Sequence, residues 1–456
     1  MDHTPQAAMQ PRTLVVGLGA TGLSVVRHLR RQGADCAITD TRSVPPGLEA
    51  LDREFPDTPR FFGPLDAKRL LAYERLVLSP GVARSEPAIQ SALRAGVEVT
   101  GDIALFREAW GHRPLVGITG SNGKSTVTTL LGGMCAASGT RVLVGGNLGP
   151  PALDALAMQP DAQVAVLELS SFQLELVDDL GATVALLLNL SPDHLDRYPD
   201  IEAYRAAKER VFTGARCAVA DADNPDSLPR TLEVPRILYR LSRPLPDEVG
   251  CTEAMGANWV GLGHWHWVAL SELPLGQAGA HNVKNLLAAF AAGMALGLAP
   301  AAMVRGASAF AGLPHRCQRL GEHRGVLYVD DSKGTNVGAA AAAIEGIAQG
   351  RFGKLLVLLG GTGKGTDYRD LCAPLHRHAR VAVLYGAERA ALFESLRGAV
   401  ECVLVDDLGQ AVREAAKRAQ AGDCVLLSPA CASFDQFRDY RHRGQVFQKA
   451  VAEIAA

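Results

Sequence analysis

The sequence predicts an α/β protein of three domains, and three observations support that expectation. A chain of 456 residues is too long for a single hydrophobic core. Three times an apolar, strand-like run ends in glycines: Leu14-Val15-Val16-Gly17-Leu18-Gly19, Val116-Gly117-Ile118-Thr119-Gly120, and the stretch 355–361. Around these runs, short Val- and Leu-rich segments alternate with helix-like ones, the pattern of parallel strands buried on both faces.

Strand-like stretches at 14–16, 36–40, 76–78 and 97–99, with a helix at about 86–95, predict a small doubly wound, Rossmann-like domain over residues 1–102. Its turn Gly17-Leu18-Gly19-Ala20-Thr21-Gly22, with Asp40 closing the next strand, fits a dinucleotide fingerprint, so NAD is one reading of its ligand. A strand at 114–118, a glycine-rich turn and a helix at 126–137 open a central P-loop ATPase-type domain, residues 103–313, continued by strands at 141–144, 164–169 and 184–188. The pattern loosens between 221 and 271, where residues 259–268 alternate like an exposed antiparallel pair. His264 and His266 would share one strand face there, but with no third ligand nearby a plain hairpin is expected. Gly312-Leu313-Pro314 reads as a hinge. Beyond it, strands at 326–329, 355–359, 381–385, 403–405 and 425–427 and a closing helix to Ile454 predict a second Rossmann-like domain over 314–456.

Composition narrows the partners. With 46 basic and 48 acidic residues the net charge is −2, so no global field attracts nucleic acid, and anionic ligands must be met by local sites. No stretch approaches a membrane span and residues 1–12 lack an apolar leader, so a cytosolic monomer acting on small molecules is expected. Nine scattered cysteines without ligand spacing read as reduced thiols.

The turn Gly120-Ser121-Asn122-Gly123-Lys124-Ser125-Thr126 is built to hold the phosphates of ATP. Lys124 would reach the terminal phosphates and Ser125 would offer a hydroxyl to Mg²⁺. The spacing departs from the usual one, since Ile118 stands five residues before Gly123 where a glycine is customary. Glu168 ends a strand, at the edge of a parallel sheet where ligands bind. The segment containing Asp193, His194 and Asp196 ends the next strand, so these side chains could hold Mg²⁺ together, although His194 could equally be a capping or core histidine. Lys208, on a helix at 201–212, reads from composition as a surface charge. Asn282 and Asn285 open a further helix, where they could bond an adenine or cap the helix.

Together these strings resemble the Mur ligase family over nearly the whole chain: the phosphate turn, Glu168-Leu169-Ser170-Ser171-Phe172-Gln173, Asp193-His194-Leu195-Asp196-Arg197-Tyr198, Gly312-Leu313-Pro314-His315-Arg316, Asp331-Ser332-Lys333 and Ser428-Pro429-Ala430-Cys431-Ala432-Ser433. The family's own loop shares this glycine spacing. The resemblance implies ATP-driven amide synthesis in peptidoglycan precursor formation, in which D-glutamate is added to UDP-N-acetylmuramoyl-L-alanine through an acyl phosphate. It further implies two Mg²⁺ ions, the second arranged by Glu168, His194 and a Lys208 carbamylated by CO₂. By the same resemblance Thr21, Asp40, Thr41, Arg42 and Gly81 surround uridine, and Asn147 and Ser170 contact the muramoyl-alanine part. Asn285 and Arg316 touch adenine and phosphate, and Asp331 the ribose. Lys333, Thr335, Lys364 and Ser433 serve the incoming amino acid, with Phe434 and Tyr440 lining its pocket; Tyr440 stands where the family has phenylalanine. Read from the residues alone, Lys364 after its glycines could serve only a phosphate or solvent. A folylpolyglutamate synthase-type ligase, an NAD-dependent oxidoreductase and a non-catalytic nucleotide-binding protein are the competing readings.

Overall fold

The computed structural model describes residues 12–230, 234–277, 279–349, 353–365 and 367–455. The first sheet contains β1 (Thr13–Val16), β2 (Cys36–Asp40), β3 (Arg60–Phe62), β4 (Arg75–Leu78) and β5 (Glu98–Gly101), all parallel, in the order β3-β2-β1-β4-β5. The order reverses at β1, which opens a crevice at the carboxyl ends of β1 and β4. The glycine turn after β1 lies there. Gly17 has φ +95°, and a Cβ on Gly22 would sit 1.9 Å from the Gly17 carbonyl oxygen, so the turn and its helix can approach only without side chains.

The second sheet has nine strands: β6 (Leu115–Thr119), β7 (Val142–Gly146), β8 (Val164–Glu168), β9 (Val184–Leu187), β10 (Ala218–Asp221), β11 (Arg236–Arg240), β12 (Val249–Ala254), β13 (Ala257–Leu262) and β14 (Trp265–Ala269). Their order is β14-β13-β12-β11-β10-β9-β6-β8-β7, parallel from β7 through β12 and antiparallel from β12 to β14. The stretch between 221 and 271 is thus more regular than its sequence suggests, because it extends the same sheet as an antiparallel meander. The hairpin is present, but His264 occupies its turn and only His266 lies on a strand, where its ring stacks on Trp259. The tight turn at Gly263, φ +54°, shifts His264 off the strand face.

Helix Asp102–Trp110 buries Ile103, Leu105, Phe106 and Trp110 in a core continuous with Val15, Leu18 and Val26 of the first unit and Leu115 and Leu143 of the second. The first two sheets are therefore joined by one apolar cluster. On the opposite face of the central sheet, helices Lys124–Ala137, Ala280–Ala295 and Pro300–Ser308 contribute Val127, Leu131, Leu286, Phe290 and Met303.

The third sheet is β15 (Gln318–His323), β16 (Val326–Asp330), β17 (Leu355–Gly360), β18 (Ala379–Tyr385), β19 (Glu401–Leu404) and β20 (Cys424–Leu427), ordered β15-β16-β20-β17-β18-β19. Only the β15/β16 edge hairpin is antiparallel. Helices cover both faces. Val337, Ala340 and Ile344 pack on one, and Leu408, Val412 and Phe447 on the other. All nine cysteines are free, and among the described residues no helix is long and apolar enough to cross a membrane.

Candidate active site

The loop after β6 turns on Gly120 (φ +150°) and Gly123 (φ +85°), so the glycine missing at position 118 is supplied by Gly120, while Ile118 stays buried in the strand. The loop is clamped from the neighbouring strand: Asn122 N–H donates to Asn189 Oδ1 at 2.9 Å, and Asn189 Nδ2 donates to Asn122 O at 3.0 Å. Ser121 and Ser191 exchange a second pair of bonds, each 3.0 Å long. Lys124 opens the following helix, and its Nζ donates to the carbonyls of Gly120 (2.7 Å) and Ser121 (3.0 Å).

Glu168, at the end of β8, is 2% exposed. Its Oε2 accepts from the Ser125 hydroxyl, and its Oε1 accepts from Asn147 Nδ2 at 2.7 Å. Ser125 Oγ also accepts from Arg316 Nη2, at 2.6 Å, across the boundary with the third sheet. Burial alone would raise the Glu168 pKa, but the Lys124 charge, the Ser125 and Asn147 bonds and the Arg316 charge outweigh it and hold the carboxyl below its ordinary value. The result is an anionic oxygen donor beside a hydroxyl at a helix N-terminus.

His194 lies at φ +56°, its ring edge-on to Phe172, and burial, against the pull of Asp193, lowers its pKa to about 4. It is thus a neutral imidazole at the mouth of the cleft. Asp196 is not among the residues lining that cleft. Lys208 is no surface charge: it is 1% exposed, donates to Gly120 O at 2.9 Å and Thr119 Oγ1 at 3.4 Å, and lies over the Tyr204 ring. The amphipathic stripe of helix Ile201–Glu209 turns it inward, a placement composition cannot show. Burial, then the Lys124 charge, push its pKa well below the ordinary lysine value.

Residues from the third sheet complete the same cleft, a space of about 290 Å³ lined by Lys124, Asn147, Glu168, Ser170, His194 and Lys208 and also by Arg316, Lys333, Thr335 and Lys364. Lys364 is committed to a carboxylate rather than to solvent: its Nζ donates to Asp193 Oδ1 at 2.8 Å. Asn336 Nδ2 donates to Asp193 Oδ2 and to Asn122 Oδ1, both at 3.1 Å. Asp193, expected among the Mg²⁺ ligands, instead accepts from Lys364 and Asn336, while Asn189 and Asn336 have no individual role in the sequence reading. Asn336 does carry a local signal, since its Oδ1 caps helix Val337–Ala348 through Ala339 N–H, but a cap does not disclose a partner two hundred residues away.

Two further clefts adjoin. Thr21, Asp40, Thr41, Arg42 and Gly81 line a space of about 620 Å³ that shares Pro80 and Asn147 with the first. Asp40 is buried and accepts from Leu18 N–H (2.7 Å) and from Arg42 N–H, Nε and Nη2, which fixes the turn and the guanidinium together. On the other side, Thr126, Asn282, Asn285 and Asp331 line a cleft that shares Asn122, Gly123, Arg316 and Lys333 with the central one. Burial raises Asp331 to about 6 despite its bond from Ser428 Oγ, and lowers Lys333 to about 7. Ser433 is buried but outside the lining of the central cleft, Phe434 is 74% exposed, and Tyr440 presents its ring to Lys333 Nζ at 4.1 Å.

Family models match three segments in order: "Mur ligase MurD-like, N-terminal domain" at residues 11–101, "Mur ligase middle domain" at 118–293, and "Mur ligase, glutamate ligase domain" at 315–431. The chain is 48% identical over 453 residues to the UDP-N-acetylmuramoylalanine--D-glutamate ligase of Nitrosococcus oceani, covering 99% of this chain and 98% of that protein. It is 48% identical over 446 residues to the protein of that name from Pseudomonas aeruginosa, covering 97% and 98%. Among solved structures, the UDP-N-acetylmuramate-alanine ligase of Thermotoga maritima superposes with a TM-score of 0.63 at 17% identity over 98% of this chain and 100% of that one. A pseudomurein peptide ligase type C from Methanothermus fervidus gives 0.62 at 17% identity, over 97% and 100%. These structural likenesses show the shared three-domain fold.

Proposed function

The chain belongs to the Mur ligase family, and from that premise we propose that it joins D-glutamate to UDP-N-acetylmuramoyl-L-alanine at the expense of ATP, as a cytoplasmic monomer in peptidoglycan precursor synthesis. One observation supports the assignment above the others: a single cleft is lined by the phosphate-loop Lys124, by Glu168, and by Lys333, Thr335 and Lys364 of the third domain. We place the domain limits at 102/103 and at 313/314, the latter beside Gly312, φ +94°.

A carboxylate resists attack by an amine because oxide is a hopeless leaving group. Transfer of the γ-phosphoryl group to the alanine carboxylate breaks the bond to ADP and creates a mixed anhydride. The amine of glutamate then attacks its carbonyl carbon, the C–O bond to phosphate breaks, and one proton leaves the nitrogen. Lys124 and Arg316 offset the repulsion between two anions that must meet in line. The cleft beside Asp40 and Arg42 takes a uridine diphosphate rather than NAD, and Asn147, shared with the central cleft, leads its sugar-peptide arm to the reacting centre. Asn282, Asn285 and Asp331 receive adenosine. Lys364, with Thr335 and Lys333 in the same cleft and Ser433 on the adjoining loop, meets the side-chain carboxylate of glutamate by charge-assisted bonds, and Phe434 and Tyr440 border the subsite.

The donor set fits Mg²⁺. Glu168 and the Ser125 hydroxyl are hard oxygen donors in mutual contact. Among the described residues no group of three His, Cys, Asp or Glu converges, so a second ion at Glu168 and His194 calls for one more anionic oxygen. A carbamate on Lys208 would supply it; burial and the Lys124 charge push that amine's pKa well below the ordinary lysine value, toward the neutral form that CO₂ modifies. When bound, the metal neutralises phosphate charge.

Phosphate release from ATP, measured with UDP-N-acetylmuramoyl-L-alanine and D-glutamate separately and together, tests the assignment. Release should need both substrates, and ¹⁸O in the alanine carboxylate should appear in the freed phosphate. Turnover indifferent to either substrate, or unlabelled phosphate, sinks it.

A further inference from the structure

Arg443, near the start of helix Tyr440–Ala455, is 0% exposed, and among the described residues no carboxylate forms an ion pair with it. A buried guanidinium without a counter-ion is costly unless its N–H groups all find acceptors. Here Nε donates to Ser332 Oγ (3.1 Å), Nη2 to Ser332 O (2.9 Å), and Nη1 to Cys431 O (3.1 Å), Ala432 O (3.2 Å) and Gly360 O (3.4 Å). The acceptors lie on three loops that leave the carboxyl ends of the adjacent strands β16, β17 and β20. Lys333 and Thr335 follow Ser332, Lys364 follows Gly360, and Ser433 follows Ala432. The loops also touch one another. Thr362 and Ala432 exchange backbone bonds of 2.8 and 2.9 Å, and a Cβ on Gly361 would lie 2.0 Å from Ala432 O.

We propose that Arg443 is the positioning residue of the amino-acid subsite: one guanidinium holds in register the three loops that present Lys333, Thr335, Lys364 and Ser433. The inference rests on the assignment of that subsite to glutamate. It follows from geometry that a single planar fork is required. Lysine brings three donors from one point and cannot span acceptors on three separate loops, so charge alone does not replace it. Neither the phosphate loop nor the uridine cleft bonds to Arg443, whereas Ser332 stands between Asp331 and Lys333 of the adenosine cleft, so the uridine substrate should be insensitive to its loss and ATP less sensitive than glutamate.

The test compares steady-state KM values for D-glutamate, ATP and UDP-N-acetylmuramoyl-L-alanine in the full-length wild type, Arg443→Lys and Ser332→Ala. For Arg443→Lys the glutamate KM should rise at least about tenfold, the effect of losing one charge-assisted bond, with the KM for UDP-N-acetylmuramoyl-L-alanine within about twofold and that for ATP rising less than that for glutamate. Ser332→Ala, which removes one acceptor, should move the glutamate KM several-fold in the same direction. An unchanged glutamate KM in either variant overturns the proposal, as does a parallel rise in all three constants with a fall in melting temperature. Should Arg443→Lys not fold, Ser332→Ala decides alone. A wild type that ignores D-glutamate would instead refute the functional assignment, leaving the two failures distinct.

Discussion

The ion pair between Lys364 Nζ and Asp193 Oδ1 joins the third domain to the central one at the reaction cleft, 2.8 Å long with side chains 17% and 7% exposed. Unit charges so close attract by about 6 kcal/mol at an effective dielectric constant of about 20. Desolvation cancels most of this, leaving a coupling of roughly 2 kcal/mol. Lys364→Met keeps the apolar stem and removes the charge, so Asp193 retains only Asn336 Nδ2 at 3.1 Å and its neighbour's N–H at 2.9 Å. A buried charge left behind costs more than the pair is worth, about 3 kcal/mol, or roughly two powers of ten in kcat/KM for D-glutamate. The assay is a double-mutant cycle in kcat/KM with Asp193→Asn, in which the double variant should lose about 30-fold less than the product of the single losses. Burial raises the Asp193 pKa, but Lys364 first and other partners after it bring the net value below the ordinary one. The stabilisation is therefore complete above the unfolded value of about 3.9 and is lost as pH falls through the lower folded value. The coupling should be constant between about pH 6 and 8. Independent single effects, or a coupling that fades within that range, would refute the reasoning.

Three further outcomes are expected. Glu168→Gln removes an anionic oxygen but keeps its volume, and should lower phosphate release by about 10²-fold or more, with a raised Mg²⁺ requirement; activity at wild-type Mg²⁺ would count against its role. Lys208→Ala should reduce turnover by a similar factor, about 10²-fold, and added formate or another small acid should restore part of it, whereas full activity without additive removes the carbamate from consideration. Gly22→Ala forces a Cβ to 1.9 Å from the Gly17 carbonyl, so the turn must open and the KM for the uridine substrate should rise, with stability lowered by about 1–3 kcal/mol in a thermal melt. An unaltered KM there would detach the turn from the nucleotide.

The parts most legible from sequence were those where local chemistry and periodicity agree. Strands β1, β6 and β17 run into glycines because the chain turns there at positive φ (Gly17, Gly120, Gly360 and Gly361), and each is visible as an apolar run with its punctuation. Short or partly solvated strands were harder. β3 is three residues long and only half-buried, and β11 and β12 are partly solvated, so neither hydrophobicity nor length marks them, whereas β13 and β14 show as an alternating pair. The resemblance gathered Lys124, Glu168, His194 and Lys364 in advance, and the structure brings these four to one cleft. The interdomain bonds of Asp193 and Asn336 are not legible, because contacts between domains leave no periodic trace. Lys208 misled for a related reason: burial of a lysine depends on which helix face meets the loop.

That loop also sorts the two lysines chemically. Lys124 and Lys208 both donate to the Gly120 carbonyl oxygen, at 2.7 and 2.9 Å. Two ammonium ions sharing one acceptor repel each other strongly away from water, so the arrangement favours one charge and one neutral amine. Burial lowers the pKa of both, yet their surroundings differ. After burial, the largest influence on Lys124 is the opposing charge of Glu168, and Glu168 in turn stays ionised chiefly because Lys124 faces it. For Lys208 the largest influence after burial is Lys124 itself, and its hydrogen-bond partners are a carbonyl and a hydroxyl, which serve an amine as well as an ammonium. This asymmetry supports the proposed division of labour, with Lys124 as the cation for phosphate and Lys208 as the amine for CO₂. One carbonyl, presented by a glycine at φ +150°, brings the two amines together.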